Sequence, residues 1–269
     1  MSITSQNLLG KNYKWWYMYQ YSVKARLTSK WDSVIFMVGH MLVLSSVILT
    51  WWLAGNKQID LGFQSKLTYF LVGELFYCFV FLFPSFNGFE ILRGNHTTQL
   101  LFPQSYFKQI FFKYYGDSFI QSLSKFVFLL TTIFALRSLI LFQPTQNTFL
   151  SFAMVPISLF LLFLLEISVS FSAFWLTRIN GIILNFGFLL AIFSGRNFPL
   201  NLLVESFGWN LFNPFAFTFY HPMQIYLGKY SQIEILQTFV GGITWCLVLF
   251  TLARTIFKMG LKRNEAVGL

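Results

Sequence analysis

The chain has 269 residues, of which 56% are hydrophobic, 21% aromatic and only 10% charged, and its mean hydropathy is +0.61. A soluble domain carries about 25% charged residues, so this composition excludes an ordinary soluble enzyme, a disordered chain and a coiled coil, and predicts that lipid solvates most of the chain. The net charge of +10 comes without a dense basic run and therefore indicates cytoplasmic loops and lipid headgroups rather than nucleic acid.

Residues 1–33 are predicted to be a cytoplasmic leader that contains an interfacial helix. The leader has five basic residues among many aromatic ones, and it lacks the apolar core and cleavage site of a signal peptide. Large side chains recur at helical spacing, which is typical of a helix in the headgroup layer; a plain basic leader is the alternative. The residues of the predicted interfacial helix are Trp16, Tyr19, Val23, Leu27 and Trp31.

Six apolar runs follow, and a run of this length must satisfy its backbone internally, as a helix does. They cover residues 34–53, 67–86, 119–142, 149–171, 179–194 and 235–253. We therefore predict an all-α integral membrane protein, with one domain of six transmembrane helices over residues 34–269. One side of this topology carries 13 Lys and Arg residues and the other carries four. The positive-inside rule then places both termini in the cytoplasm.

The segment 196–229 lies between the last two runs and is expected on the extracytoplasmic side. It is rich in Phe, Leu and Trp, so water would solvate it poorly. We expect part of it, around 198–215, to return into the outer leaflet as short re-entrant helices packed against protein. Pro199, Pro214 and Pro222 mark its breaks.

Four charged residues lie inside the apolar runs, where an isolated charge is costly. Counting about 1.5 Å per helical residue places Glu74 at the depth of Arg137, and Lys125 at the depth of Glu166. The sequence therefore predicts two intramembrane ion pairs, Glu74–Arg137 and Lys125–Glu166. Their expected role is to fix helix packing. Snorkelling of Lys125, a protonated Glu74 and a proton relay are the alternatives.

Recognised catalytic and nucleotide-binding motifs are missing from the sequence. The three histidines fall in separate predicted elements, so we expect no catalytic residue, metal site or cofactor in this chain. Two alternatives remain. One is a membrane enzyme acting on lipid, with His40 or His221 as base; the other is an ATPase-independent secondary transporter or channel using Lys125 and Glu166.

The connection 87–118 is the longest cytoplasmic segment between two predicted spans. Gly94 and Asn95 are expected to provide a turn and a helix cap, and Pro103 is expected to end a short helix. A rigid, capped helix that projects from a membrane is suited to transmit force from a soluble partner.

These residues also resemble a known family. Glu90, Arg93 and Gly94, followed by Leu100-Leu101 and Pro103, are similar to the pattern of permease subunits in ABC-2 type ABC transporters, in the branch with six spans. The resemblance extends in order and spacing over about residues 15–265. Its other parts are Phe174-Trp175, Ser194-Gly195, Phe198-Pro199-Leu200, Asn213-Pro214-Phe215, Pro222 and Tyr226-Leu227-Gly228-Lys229.

The resemblance implies an export permease of the cell membrane that works as a dimer with an identical or homologous permease. Two cytoplasmic ABC ATPase subunits would bind ATP and Mg²⁺ and drive it. The interfacial helix would be the family's elbow helix, and 87–118 would hold the coupling helix that docks on the ATPase. A wall of Phe, Leu and Trp suits an amphiphilic, lipid-linked or hydrophobic peptide-like substrate. The residues expected to couple to the ATPase are Glu90, Arg93, Gly94, Asn95, Thr97, Thr98, Gln99, Leu100, Leu101, Phe102 and Pro103.

Overall fold

The computed structural model of the chain describes residues 13–28, 30–54, 61–103, 105–202 and 207–266. These residues form helices and connections, and no β-strand occurs among them. The α-helices are α1 Tyr13–Thr28, α2 Lys30–Ala54, α3 Leu61–Val80, α4 Asn87–Leu92, α5 His96–Leu100, α6 Tyr106–Ala135, α7 Thr145–Ala153, α8 Val155–Ser170, α9 Asn180–Phe193, α10 Phe207–Leu211, α11 Tyr220–Tyr226 and α12 Gln232–Ala266. Short 3₁₀ helices occupy Pro84–Phe86, Arg137–Leu139, Phe171–Phe174, Leu200–Leu202 and Pro214–Thr218.

Each of the six predicted apolar runs overlaps a helix in the structure, although the second run continues past the end of α3 and the third past the end of α6. Within the described ranges, three helical stretches are long and apolar enough to cross a membrane. A fourth forms if Gly62–Val80 and Pro84–Leu92, which meet at a bend of 43°, count as one span. Met37–Thr50 and Asn180–Phe193 are shorter, so the number of six crossings stays a prediction. The three stretches are Tyr106–Ala135, Thr145–Phe174 and Gln232–Arg263.

The core is built around α3 and α8. Residues 161–167 of α8 are buried on every side of the helix, and Phe76 of α3 is fully buried. A helix that is apolar all round and also enclosed is a central helix. By contrast, α12 packs against α8 with one face and exposes Leu236 and Leu247 on another. In a membrane protein such exposed apolar faces are solvated by lipid.

The predicted interfacial helix corresponds only in part to α1. Trp16, Tyr19, Val23 and Leu27 lie in α1 and Trp31 lies in α2, and residue 29 between the two helices lies outside the described ranges. Trp16 and Leu27 are exposed, whereas the ring of Tyr19 packs 5.9 Å from that of Phe119 on α6. The first helix thus lies along α6 with part of its aromatic face covered by protein. Its position in the headgroup layer stays a prediction, and residues 1–12 of the leader lie outside the described ranges.

Short helices occupy the segment 196–229, but its packing differs from the expectation. The predicted re-entrant part, 198–215, exposes Phe198, Trp209 and Phe212, and residues 203–206 lie outside the described ranges. The enclosed part comes later in the chain, at 216–226, where every residue is buried. Serine hydroxyls hold it. Ser158 of α8 donates to the carbonyl of Phe217 at 2.6 Å, and a second serine, on α7, donates to Pro222.

Close approach of α1 to α6 depends on Gly116. A Cβ atom at this position would lie 2.7 Å from the carbonyl oxygen of Tyr19 and 3.1 Å from Cβ of Ser22. Contacts this short force the two helices apart.

We therefore expect Gly116→Ala to lower the unfolding free energy of the detergent-purified protein by about 1–3 kcal/mol. The measurement is a lower thermal unfolding midpoint. Gly39→Ala, also within a helix, is the matched control, because no atom lies within 4 Å of its added Cβ. Alanine there should not lower the midpoint, since it favours helix. Equal effects of the two substitutions would contradict the close contact.

Candidate functional site

Glu74 is the centre of a buried charged cluster, defined as Glu74, Lys125 and Arg196. The ammonium group of Lys125 donates to Oε2 of Glu74. Arg196 donates to both oxygens of the same carboxylate, with Nη2 at 3.0 Å from Oε2. The guanidinium carbon of Arg196 also lies 4.4 Å above the ring of Tyr77, in a cation–π arrangement.

The predicted ion pairs Glu74–Arg137 and Lys125–Glu166 are therefore wrong. The apolar run at 119–142 suggested that the third helix ends near 142, whereas α6 ends at Ala135. Lys125 is thus ten residues, or about 15 Å, from the end of its helix, deep enough to reach Glu74. Arg137 lies beyond α6 in an exposed 3₁₀ turn, where it covers the ring of Phe134 at 5.4 Å.

Arg196 is the partner that the sequence analysis missed. It was assigned to the extracytoplasmic loop, because it follows the fifth apolar run. Gly195 adopts a positive φ of 77° directly before it, a conformation that glycine adopts without strain. The sequence signal for this contact is Gly195 followed by Arg196, at the end of the unusually short apolar run 179–194.

The Glu74 cluster joins three parts of the fold and leaves little free space. A void of about 30 Å³ lies beside it, which is about the volume of one water molecule in the liquid. Lys125 donates to Glu74 and not to Glu166, so the two residues named for the secondary-transporter alternative are not paired with each other. The geometry instead supports a packing role for the cluster.

A much larger cavity, of about 780 Å³, opens elsewhere between α6 and α9. This volume is in the range of sites that hold small molecules. Apolar side chains of α9, Phe186 and Phe188 among them, line one wall, and Tyr114 of α6 lines another. Phe83 and Phe86, which come directly before α4, also reach it.

Polar or charged residues also line this large cavity: Arg26, Ser85, Asp117, Gln121, Glu166 and Asn197. Arg26 of α1 and Asp117 of α6 lie 4.0 Å apart and form an ion pair within this lining. Glu166 of α8 is buried, and its Oε2 accepts the backbone N–H of Ser85 at 3.3 Å. Ser85 itself lies in the turn that leads to α4. One carboxylate of the cavity is thus bonded to the chain next to the predicted coupling segment.

The segment Asn87–Pro103, called here the 87–103 loop, contains all the predicted ATPase-coupling residues. Gly94 has a positive φ of 76° and ends α4, so the predicted turn is confirmed. The predicted cap is wrong, because Asn95 does not accept an N–H of α5. Its side-chain amide donates to Oε2 of Glu90 at 3.0 Å.

The loop is anchored at its base and apolar at its far end. The side chain of Asn87 donates to the hydroxyl of Tyr106 at 3.0 Å, and Gln109 donates to the carbonyl of Gln99 at 3.0 Å. Leu101 is 84% exposed and Phe102 is 61% exposed. Exposed apolar residues on a held loop are typical of a contact with another protein. Arg93, Asn95, Thr97, Thr98, Leu100 and Pro103 are also exposed, whereas Glu90, Gly94 and Gln99 are half-buried.

The histidines do not form a catalytic arrangement. His40, His96 and His221 lie on α2, α5 and α11, and among the residues that the structure describes no group of three metal-ligating side chains occurs. His221 is fully buried; its Nε2 lies 3.1 Å from the carbonyl oxygen of Asn210 and its Nδ1 lies 2.8 Å from the hydroxyl of Tyr230. Since a carbonyl only accepts, Nε2 carries the proton and Nδ1 accepts from the hydroxyl. The ring is thus engaged on both sides, which disfavours the role of base in a lipid-modifying enzyme.

Helical architecture and apolar helices of membrane-crossing length define an all-α membrane protein. The family comparison gives the particular group: residues 35–268 match the model described as ABC-2 family transporter protein. The match covers most of the chain, which therefore belongs to the ABC-2 transporter family, as the sequence motifs predicted. No match was found among curated proteins or among solved structures.

We expect Glu74→Gln to be strongly destabilising, by about 3–5 kcal/mol, because it leaves the buried Lys125 and the half-buried Arg196 without a counter-charge. Lys125→Met should cost less, since the bidentate pair between Glu74 and Arg196 remains. Arg137→Gln is the control, and its exposed side chain predicts no change. Thermal unfolding in detergent measures all three. A Glu74 variant as stable as the Arg137 variant would contradict the cluster's role.

Stability should also depend on pH through His221. Burial lowers the pKa of His221 to about 4, against about 6.5 in an unfolded chain. The folded state therefore keeps the ring neutral. Its contribution, roughly 3 kcal/mol, is present above pH 6.5 and is lost as the pH falls toward 4. We expect the unfolding midpoint of His221→Phe to fall less steeply than that of the wild type between pH 6.5 and 4.5. Parallel pH curves would exclude His221 as the source.

Proposed function

We propose that this chain is the membrane subunit of an ABC-2 type exporter, driven by ABC ATPase subunits on separate chains. The single observation that carries the proposal is the 87–103 loop, a held structure with an exposed apolar end in a chain of the ABC-2 family. Two ATPase subunits would bind ATP and Mg²⁺, and a second permease, identical or homologous, would complete the membrane part.

The loop would receive the movement of the ATPase. Leu100, Leu101 and Phe102 are all exposed, so they can enter a groove of the ATPase without disturbing the permease. Burial of large apolar side chains in such a groove is the main source of binding free energy in protein interfaces. The bonds from Asn87 and Gln109 would then transmit the movement to α6.

The excess of Lys and Arg on the side of the 87–103 loop supports a cytoplasmic location for this loop. Both termini would share that side. The membrane we propose is the plasma membrane or inner membrane of the cell.

The cargo we propose is an amphiphilic, lipid-linked or hydrophobic peptide-like molecule. The large cavity is lined by six Phe, Leu and Ile side chains together with charged and amide groups, which suits a molecule with a hydrocarbon part and a polar part. Movement from the cytoplasm or the inner leaflet to the outside is the direction expected of this family.

The test is Leu101→Asp in the tagged permease, expressed in its native host, with the amount of co-purifying ABC ATPase as the measurement. A charge at the apolar end of the loop should reduce the amount of ATPase that co-purifies with the permease by roughly tenfold or more. The fold should survive, because the Leu101 side chain is 84% exposed. Ser138→Asp is the matched control: it puts the same charge on an exposed residue just beyond the opposite end of α6.

Undiminished ATPase binding by Leu101→Asp, with an unchanged unfolding midpoint, would overturn the coupling role of the loop. Failure of the wild-type permease to retain any ABC ATPase would overturn the proposed function itself.

A further inference from the structure

The two buried glutamates of the membrane helices differ in their surroundings. Glu74 has two cationic partners. Among the residues that the structure describes, no nitrogen of Lys, Arg or His lies within 4.0 Å of the Glu166 carboxylate. Only 3% of Glu166 is exposed, and it accepts the N–H of Ser85. A buried carboxylate without a counter-ion is costly, so its retention in a membrane helix needs an explanation.

Glu166 borders the large cavity, and the charges of that cavity do not balance. The lining contains two carboxylates, of Glu166 and Asp117, and one guanidinium group, of Arg26. Arg26 lies 4.0 Å from Asp117, so these two charges offset each other. The formal charge that remains is the one on Glu166. The other polar residues of the lining, Ser85, Gln121 and Asn197, are uncharged, so the one unmatched negative charge favours a positively charged guest.

The remaining walls suit the same guest. Phe83, Phe86 and Tyr114 line the part of the cavity formed by the turn before α4 and by α6. Aromatic rings attract cations through their faces, most strongly where water is excluded. Ile183 and Leu184 of α9 offer apolar surface for a hydrocarbon tail. The volume of about 780 Å³ accommodates a molecule with both parts.

We infer that the large cavity binds an amphiphile with a cationic headgroup, and that Glu166 is the residue that holds this headgroup. The inference rests on the proposed function, because it specifies the class of cargo that the permease would carry. It narrows that class to molecules with an amine, guanidinium or quaternary ammonium group. An uncharged or anionic amphiphile of the same chain length lacks the interaction with Glu166.

Direct binding provides the test, with dodecylamine as the probe and dodecanol and dodecanoate as matched neutral and anionic amphiphiles. Retention of tritiated dodecylamine is measured on the purified full-length permease in nanodiscs, with empty nanodiscs subtracted. Unlabelled dodecylamine should compete far better than either analogue. Glu166→Gln should weaken dodecylamine binding by roughly tenfold or more, and should leave dodecanol binding unchanged.

Two further variants control for the fold and for the charge. Glu166→Gln keeps an acceptor for the N–H of Ser85, so its unfolding midpoint should not fall below that of the wild type. Glu166→Asp retains the charge and should retain the preference for the amine. Glu234→Gln makes the same substitution in the first turn of α12, away from the cavity lining, and should bind like the wild type. Full dodecylamine affinity in Glu166→Gln, or equal competition by dodecanoate, would overturn the inference.

Failure of this inference is distinguishable from failure of the proposed function. If the ATPase is retained by the wild type and lost with Leu101→Asp, while Glu166→Gln changes nothing, the cargo assignment alone is wrong. If dodecylamine binds through Glu166 but no ATPase is retained, the cavity assignment stands and the exporter proposal is wrong.

Discussion

A buried charge is costly unless an opposite charge matches it, and the matched charges at Glu74 hold the membrane helices together. Its carboxylate receives Lys125 from α6 and Arg196 from the chain after α9. Two helices and one connection are thereby held at one point. Apolar packing between lipid-exposed helices has little preference for one rotation over another, because lipid solvates them equally well. A buried ionic contact supplies the missing specificity.

Hydrophobicity was sufficient to predict where the helices are, because a backbone in lipid has few alternatives. It was not sufficient to predict which charges meet. That outcome depended on the end of α6 at Ala135 and on the turn at Gly195, neither of which changes the apolar pattern. The enclosed stretch at 216–226 escaped prediction for a similar reason. Serine hydroxyls of α7 and α8 bind its carbonyls, and these contacts leave no mark on the apolar pattern of the sequence.

The candidate site was predicted unevenly. The 87–103 loop could be located from its motif. Its turn could be predicted from Gly94, because glycine adopts the positive φ that this turn has. The helix cap could not be predicted, because the Asn95 side chain can bond to residues before it as well as after it. In the structure it bonds to the carboxylate of Glu90. The large cavity was invisible in the sequence, since its lining comes from helices that are distant along the chain.

The bend between α3 and the turn at Pro84 has a mechanical consequence. Proline has no N–H to donate, and residues 81–83 before it are not helical, so the chain can pivot there without breaking α3. Ser85 lies directly beyond this bend and its N–H is bonded to the Glu166 carboxylate, so a displacement of the 87–103 loop would also displace a donor that faces the cavity.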